Sequence, residues 1–296
     1  MDKTQPAEAA VLVIINRQSG TVRTMGEDAV AQRVEKGFSQ KQPVEVSLVK
    51  GGEIASTVAS AIAGQRYQTI VVGGGDGTVA SVAGQLAGTG ITMGVLPLGT
   101  MNMVAQAIGI PANLEQAVTA LADGHAVAID VGRVNGKAFL HQVSFGIQPR
   151  VVRIRERIGY SSRLTKMLTG LTAIFAVLAR PRTIRMIAEE EGTLSRLRIP
   201  ALAISNNVYR SDKPGIPVRL DGGVLGIYAV SAKRWRDYIR IALATLRGTW
   251  KEERYGGGAR RFRDQIVTDE APEGEQDSGV GRWRTRISHL SHRYFH

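Results

Sequence analysis

Short apolar runs alternate with helical patterns in the first third of the chain. The apolar runs are bounded by turn residues, as is typical of buried strands, and they cover Val11–Ile15, Val44–Val49, Thr69–Val72 and Thr92–Leu96. Apolar residues three and four positions apart predict the helices Glu27–Phe38, Ile54–Ala63 and Val79–Ala87. Strands that alternate with helices predict an α/β domain with a doubly wound, mostly parallel sheet, which binds ligands at the carboxyl ends of its strands.

The pattern changes after Asp130 to short β-rich pieces. They cover Val127–Val134, Ala138–Val143, Thr183–Ala188, Arg198–Ile204 and Val224–Val230. Two helical insertions, Arg163–Leu178 and Lys233–Trp250, interrupt this series. We therefore expect a β-sandwich-like second domain, with the first domain at residues 8–132 and the second at 133–296.

A glycine-rich turn follows the third predicted strand. Gly73, Gly74, Gly75 and Gly77 surround Asp76 and precede Thr78. Glycines let a phosphate approach backbone N–H groups, and the next helix offers its positive dipole end to an anion. The turn predicts a phosphate site, and the alternative is a tight strand-to-helix connection.

The carboxylate of Asp76 predicts that a cation accompanies the phosphate at this turn. A carboxylate inside a phosphate loop is electrostatically unfavourable unless a cation accompanies it, and Mg²⁺ prefers carboxylate, phosphate and water oxygens. The alternative is an Asp that caps the following helix through backbone N–H groups. The turn lacks the usual dinucleotide fingerprint and the Gly-Lys-Ser/Thr ending of a Walker A loop, so a different nucleotide fold is needed.

Three segments together resemble the diacylglycerol and sphingosine kinase family of lipid kinases. The turn matches the family's Gly-Gly-Asp-Gly-Thr. The segment from Asn16 to Gly20 is similar to Asn-Pro-x-Ser-Gly, with Arg17 in place of proline, and Pro97 to Asn102 matches Pro-x-Gly-Thr-x-Asn, with Met103 where an acidic residue usually follows. The resemblance implies ATP and Mg²⁺ as cofactors and this nucleotide site: Asn16, Ser19, Gly20, Ser47, Gly74, Gly75, Asp76, Gly77, Thr78, Gly99, Thr100 and Asn102.

The resemblance weakens in the second domain. The strand that begins near Val224 is opened in the family by two acidic residues, of which the second helps to hold a structural Mg²⁺. Here Gly222 takes that place, and Asp221 could serve as the metal ligand only after a local shift. Gln148 likewise stands where the family more often has Asp.

Phosphoryl transfer to a hydroxyl needs a base. In these lipid kinases the base is the Glu of a late Asp-Gly-Glu turn, and the nearest equivalent here ends in Glu275, so the resemblance implies Glu275 as the catalytic base beside Asp76. The acidic, glycine-containing surroundings of Glu275 are also typical of a surface loop. The tail from Arg282 to His296 is rich in Arg and His where the family usually ends in apolar strands.

Charge is distributed unevenly along the chain. Residues 150–263 carry 24 basic and 9 acidic side chains, within a formal net charge of +12 for the whole chain. Such a surface attracts anionic lipid head groups or nucleic acid, and the alternative is a solvated arginine-rich face. The chain has no cysteine and its longest apolar stretch, Leu164–Leu178, is shorter than a spanning helix needs. We therefore expect a cytoplasmic, peripherally membrane-associated protein without a specific nucleic-acid partner, and leave a homodimer open.

Three functions are consistent with these features. The resemblance implies an ATP-dependent lipid kinase that phosphorylates the hydroxyl of a diacylglycerol-like or sphingoid lipid. NAD kinase shares the Gly-Gly-Asp-Gly-Thr loop, but the Pro-x-Gly-Thr-x-Asn loop argues against it. The third alternative is a nucleotide-binding protein without kinase activity, which the missing acidic groups at Gly222 and Gln148 suggest.

Overall fold

A computed structural model describes most of the first half of the chain and parts of the second. The described residues are 11–146, 184–190, 193–210, 215–230, 236–237, 260–262, 266–268 and 285–295. Among them, no helix combines the length and apolar character needed to cross a membrane. The predicted helix Arg163–Leu178 lies outside this part, and so does Lys233–Trp250 except for Arg236 and Asp237.

The first sheet contains four parallel strands in the order β2-β1-β3-β4. They are β1 (Val11–Asn16), β2 (Val44–Val49), β3 (Thr69–Gly74) and β4 (Thr92–Pro97). The central strands are buried along almost their whole length, which explains why their sequences are continuously apolar. This sheet confirms the predicted α/β domain.

Six helices accompany this sheet. They are α1 (Gly20–Met25), α2 (Glu27–Ser39), α3 (Ile54–Gly64), α4 (Asp76–Leu86), α5 (Met103–Ala107) and α6 (Leu114–Ala122), and a short 3₁₀ turn, Gly51–Glu53, precedes α3. Helices α2, α3 and α4 were predicted from the apolar spacing of the sequence, and the other three were not. That spacing placed the start of α4 at Val79, whereas the helix already begins at Asp76, so the glycine turn supplies its first residues.

The strands from residue 126 onward form two antiparallel sheets. One has the order β12-β11-β10-β7 and the other β6-β5-β14-β13-β8-β9. The strands are β5 (Ala126–Val134), β6 (Lys137–Phe139), β7 (Gln142–Gly146), β8 (Ile184–Glu190), β9 (Thr193–Ile199), β10 (Ala201–Asn206), β11 (Leu225–Val230), β12 (Arg260–Phe262), β13 (Ile266–Thr268) and β14 (Thr285–Phe295). Buried side chains from both sheets form one cluster, including Phe139, Ile199, Leu202 and Ile227. The expected β-sandwich-like architecture is confirmed.

Two segments of this region that were each predicted as one strand form two strands instead. Ala138–Val143 is divided between β6 and β7, and Arg198–Ile204 between β9 and β10, with each pair split between the two sheets. Pro200 explains the second division, because proline has no N–H to donate to a strand ladder. The chain therefore changes sheets at points where the hydrophobic pattern continues without a break.

The tail forms a strand that the sequence analysis missed. β14 pairs antiparallel with β5 from Ile287 opposite Val134 to Phe295 opposite Ala126, and it also contacts β4 of the first sheet. The basic and polar residues of this segment obscured a strand whose partners are distant in sequence. The tail thereby joins the six-stranded sheet to the α/β domain.

Candidate functional site

Three loops meet at the carboxyl edge of the parallel sheet. We call them the first loop (residues 16–20, after β1), the second loop (residues 73–78, at the end of β3) and the third loop (residues 98–102, after β4). Asn16 Nδ2 donates to Thr78 Oγ1 at 3.3 Å, and Leu98 N–H donates to the carbonyl of Gly74 at 3.2 Å. Thr21 N–H donates to the carbonyl of Leu98 at 3.1 Å. The second loop is thus tied to the other two, and the residue directly after the first loop binds the third.

Glycines allow the second and third loops to touch through their backbones. A Cβ placed on Gly99 would lie 2.5 Å from Gly75 Cα, closer than real Cβ atoms approach. A Cβ on Gly74 would lie 2.9 Å from Thr78 Cβ. By contrast, Gly77 is exposed and has no heavy atom within 4 Å of an added Cβ. Two of these glycines are therefore required by packing, and Gly77 presents open backbone to a ligand.

Asp76 connects the second loop to α5. Its Oδ1 accepts a hydrogen bond from Val104 N–H at 3.1 Å, whereas α4 has no side-chain cap. The carboxylate therefore does not cap its own helix. Within the described residues no hydrogen bond reaches Oδ2, and Asp76 is only partly buried. One carboxylate oxygen is held in place, while the other accepts no hydrogen bond from the described residues.

Ser19 supplies a buried hydroxyl to the same edge. The residue is 7% exposed, and its Oγ finds no hydrogen-bond partner in the part of the chain that the structure describes. Its backbone N–H donates to the carbonyl of Asn16 at 3.0 Å, which fixes the turn. Leaving a buried polar group unsatisfied costs about 1–3 kcal/mol. A ligand oxygen at the first loop would remove that cost, so this residue fits a nucleotide phosphate.

Asn102 closes the third loop on itself. It has a left-handed backbone, with φ 51°, which Asn tolerates better than most residues. Its Oδ1 accepts from Gly99 N–H at 2.9 Å and its Nδ2 donates to the Gly99 carbonyl at 3.0 Å. The side chain therefore maintains the loop that brings Gly99 against Gly75. Gly20 and Thr100 are exposed at the rim of the three loops.

Gln18 is a site residue that the sequence analysis missed. Its Oε1 accepts from Gly51 N–H at 3.2 Å and so ties the first loop to the turn before α3. Ser47 lies within β2 opposite Ile14, and it shares no hydrogen bond with the three loops among the described residues. Loop-to-turn hydrogen bonds between distant segments leave no local sequence signal, which explains the omission of Gln18.

Arg17 occupies the family's proline position and forms an exposed ion pair. Its guanidinium donates to both carboxylate oxygens of Glu27, with a closest distance of 2.6 Å. The hydrogen bond from Arg17 lowers the pKa of Glu27 below its usual value. The first loop thus gains a side-chain anchor to α2 where a proline would restrict the backbone.

Asp221, the candidate metal ligand, is exposed and paired. Its two carboxylate oxygens accept from Arg219 at 3.0 and 3.1 Å, and this hydrogen bonding lowers the pKa of Asp221. Gly222 N–H donates to Asn207 Oδ1, and a Cβ at Gly222 would lie 2.6 Å from that oxygen. The described residues contain no group of three or more acidic or histidine side chains that could hold a metal ion. The role of Asp221 stays a prediction.

Asp130 is a carboxylate of this region that the sequence analysis did not select. It is 1% exposed, and its Oδ2 accepts from Gly223 N–H at 2.7 Å. Its backbone N–H donates to the Leu220 carbonyl at 2.7 Å. These contacts fix the turn that carries Asp221. Glu275 and Gln148 lie outside the described residues.

Comparisons with known proteins find similarity over the part of the chain that contains the three loops. Residues 10–134 match the family described as "Diacylglycerol kinase catalytic domain". The chain is 38% identical over 183 residues to "Probable lipid kinase YegS-like" of Pseudomonas aeruginosa, covering 61% of this chain and 55% of that protein. It is 26% identical over 207 residues to "Diacylglycerol kinase" of Bacillus subtilis, covering 66% and 65%.

The fold is also similar to a solved structure. A crystal structure of a diacylglycerol kinase from Bacillus anthracis str. Sterne aligns with a TM-score of 0.71 and 19% sequence identity, covering 98% of each chain. This likeness concerns the fold. In the sequence matches, the chain spans about half the length of the first curated relatives.

Proposed function

We propose that this chain is an ATP-dependent lipid kinase, and the proposal is supported by the match of residues 10–134 to the family described as "Diacylglycerol kinase catalytic domain". The acceptor is the hydroxyl of a diacylglycerol-like or sphingoid lipid. The observation that carries the proposal is the edge where Gly75 and Gly99 meet, because it combines open backbone, the buried hydroxyl of Ser19 and the carboxylate of Asp76. Backbone N–H groups at this edge would bind phosphate oxygens, and the carboxylate would bind the accompanying Mg²⁺.

The chain's own residues bind and orient the nucleotide. Ser19 Oγ donates to a phosphate oxygen, and Gly77 lets the phosphates approach the backbone at the start of α4, where the helix dipole favours negative charge. Asp76 would hold Mg²⁺ through its carboxylate while Oδ1 keeps its hydrogen bond from Val104 N–H. When bound, ATP supplies the transferable phosphoryl group and Mg²⁺ neutralises its charge.

Glu275 accepts the hydroxyl proton in this proposal. The support is the resemblance of its turn to the family's late Asp-Gly-Glu, with Glu273 in place of Asp. A carboxylate within hydrogen-bond reach of the acceptor hydroxyl would accept its proton and so make the hydroxyl oxygen a stronger nucleophile. The basic residues of segment 150–263 dock the protein on anionic membrane, where the lipid acceptor lies.

A second candidate function is nucleotide binding without transfer. It is favoured by Gly222 and Gln148, which lack the acidic groups usual in the family, and by Asp221, whose carboxylate is engaged by Arg219. In that case the three loops would still bind ATP. Only transfer to a hydroxyl would be missing.

Transfer of labelled γ-phosphate to separate acceptors tests these functions. The purified protein receives ATP and Mg²⁺ with vesicles of diacylglycerol, vesicles of a sphingoid base, NAD, or no acceptor, and ATP affinity is measured in parallel. The proposal expects a phosphorylated lipid and no labelled NAD. ATP binding with no product in any reaction would support the non-catalytic alternative, and labelled NAD would contradict the lipid kinase assignment.

A further inference from the structure

A stack of three aromatic rings in the antiparallel β region ends at His141. The rings of Tyr228 and Tyr209 are 5.1 Å apart between centroids, and those of Tyr209 and His141 are 5.5 Å apart. Tyr209 is 6% exposed, whereas His141 is only partly buried. Burial raises the pKa of Tyr209, so its hydroxyl stays protonated at neutral pH. The partly exposed imidazole of His141 is therefore held against the stacked rings of Tyr209 and Tyr228.

Hydrogen bonds determine which nitrogen of His141 carries the proton. Nε2 lies 2.8 Å from the carbonyl oxygen of Gly215, and a carbonyl can only accept, so Nε2 is the donor. The hydroxyl of Tyr209 donates to Gln142 Oε1 at 2.8 Å and lies 3.4 Å from the same Nε2. In the neutral ring Nδ1 then has a lone pair, and no hydrogen bond reaches Nδ1 from the described residues. This nitrogen is ready to accept a hydrogen bond from a ligand.

His141 lies beside the segment that anchors Asp76. The methyl group of Met103 is 3.3 Å from the position of a Cβ on Gly215, and His141 Nε2 is 4.0 Å from the same position. Met103 directly precedes Val104, whose N–H binds Asp76 Oδ1. A group bound at His141 would therefore lie next to the α5 end of the nucleotide loops.

Two exposed apolar side chains are close in sequence to the residues of this contact. Met101 is 63% exposed on the third loop, two residues before Met103, and Val218 is 62% exposed, three residues after Gly215. Exposed large apolar side chains of this kind would suit a ligand or surface with an apolar part. The surroundings of His141 thus suit an alcohol that carries a hydrocarbon chain.

We propose that His141 binds the acceptor, with Nδ1 accepting a hydrogen bond from a hydroxyl of the lipid head group. This inference rests on the proposed lipid kinase function and adds a binding residue for the acceptor next to the α5 end of the nucleotide loops. The ring is held by Gly215 and stacked on Tyr209, so little conformational entropy is lost when the hydroxyl binds. His141 takes no proton from the acceptor in this arrangement.

Three variants at this position separate ligand binding from a structural role. Asn places an amide oxygen near the position of Nδ1, Gln reaches the position of Nε2, and Ala has neither group. If Nδ1 binds the acceptor, the KM for dioctanoylglycerol in mixed micelles rises about tenfold in His141→Ala and His141→Gln. His141→Asn should remain closer to wild type, and all three should bind ATP with unchanged affinity.

A purely structural role of His141 predicts the opposite ranking of the Asn and Gln variants. If His141 only ties the Gly215 turn, His141→Gln should be the mildest variant, and the melting temperature should follow the same order as the KM. Equal KM values in all variants of an active enzyme, or that opposite order, would overturn the inference. If the wild type transfers no phosphoryl group, the proposed function fails, and calorimetric titration with dioctanoylglycerol decides the role of His141. Weaker binding of dioctanoylglycerol to the Ala and Gln variants than to wild type supports the role of His141. Equal binding to all variants, or no binding to wild type, contradicts that role.

Discussion

Gly99 packs against Gly75 so closely that a Cβ on Gly99 would lie 2.5 Å from Gly75 Cα. The contact joins the loops after β3 and β4, and it brings their backbones together at the edge where Ser19 and Asp76 also lie. The side chains of Asn16 and Asn102 form hydrogen bonds to Thr78 and Gly99, so both are engaged in maintaining these loops. The geometry of the candidate nucleotide site therefore depends on backbone packing as much as on polar groups.

Gly99→Ala should destabilise the protein and weaken ATP binding together. The added methyl group has no space, and overpacking costs about 1–3 kcal/mol. Gly77→Ala is the matched control, because nothing lies within 4 Å of its added Cβ. We expect Gly77→Ala to keep or slightly raise the melting temperature and to weaken only ATP binding. A Gly99→Ala protein with wild-type melting temperature would contradict the close packing of the loops.

Ser19→Ala should weaken ATP binding without lowering stability. Its buried hydroxyl has no partner in the described structure, so removal breaks no internal hydrogen bond there. A hydrogen bond to a charged phosphate contributes about 1.5–3 kcal/mol, which predicts a loss of about 10- to 150-fold in ATP affinity. Ser39→Ala, which alters an exposed hydroxyl on α2, is the control and should bind ATP as wild type does. Unchanged ATP affinity in Ser19→Ala would remove Ser19 from the site.

Asp76→Asn should abolish most phosphoryl transfer while leaving the fold intact. The amide oxygen keeps the hydrogen bond from Val104 N–H, but the charge that would hold Mg²⁺ is lost. Loss of a preorganised electrostatic group costs about 10²–10³-fold in kcat. Turnover is measured over a Mg²⁺ titration, and thermal unfolding serves as the check on folding. An Asp76→Asn enzyme with wild-type turnover would contradict the assigned role.

Glu275→Gln should retain ATP binding and lose about 10²–10⁴-fold in turnover, because the amide preserves shape but cannot accept the hydroxyl proton. Glu273→Gln is the control, since it removes the same charge two residues earlier in the sequence. Equal losses in both variants would indicate a general charge effect. A fully active Glu275→Gln enzyme would place the base elsewhere.

Association with vesicles should increase with anionic lipid and decrease as salt is added. Exposed charges are screened over about 10 Å at 0.1 M salt, so the excess of basic residues in segment 150–263 acts strongly only at low ionic strength. Replacing both Met101 and Val218 by Ser should weaken the salt-resistant part of binding, with Met25→Ser on α1 as the control. Equal sedimentation of the protein with neutral and anionic vesicles would show that the basic segment does not bind membrane and is only a solvated surface.

Predictions from the sequence were most accurate where a local pattern has one structural solution. The continuous apolar strands β1, β3 and β4 were recognisable because both of their faces are buried in a parallel sheet. The wrong boundaries at Leu140 and Pro200 arose because the chain changes sheets there while its apolar pattern continues. β14 was missed because its stability comes from pairing with β5, which is distant in sequence.

The amino-acid sequence alone specifies the α/β domain, the three glycine-bearing loops and their family resemblance, because strand periodicity and turn chemistry are local properties of the chain. Tertiary contacts were needed to show that Asp76 binds Val104 N–H, that Ser19 Oγ is buried, that Gln18 reaches Gly51, and that Gly215 and Tyr209 hold His141. Each of these contacts joins residues from different segments. Their geometry is set by how sheets and helices pack, and no short stretch of sequence encodes it.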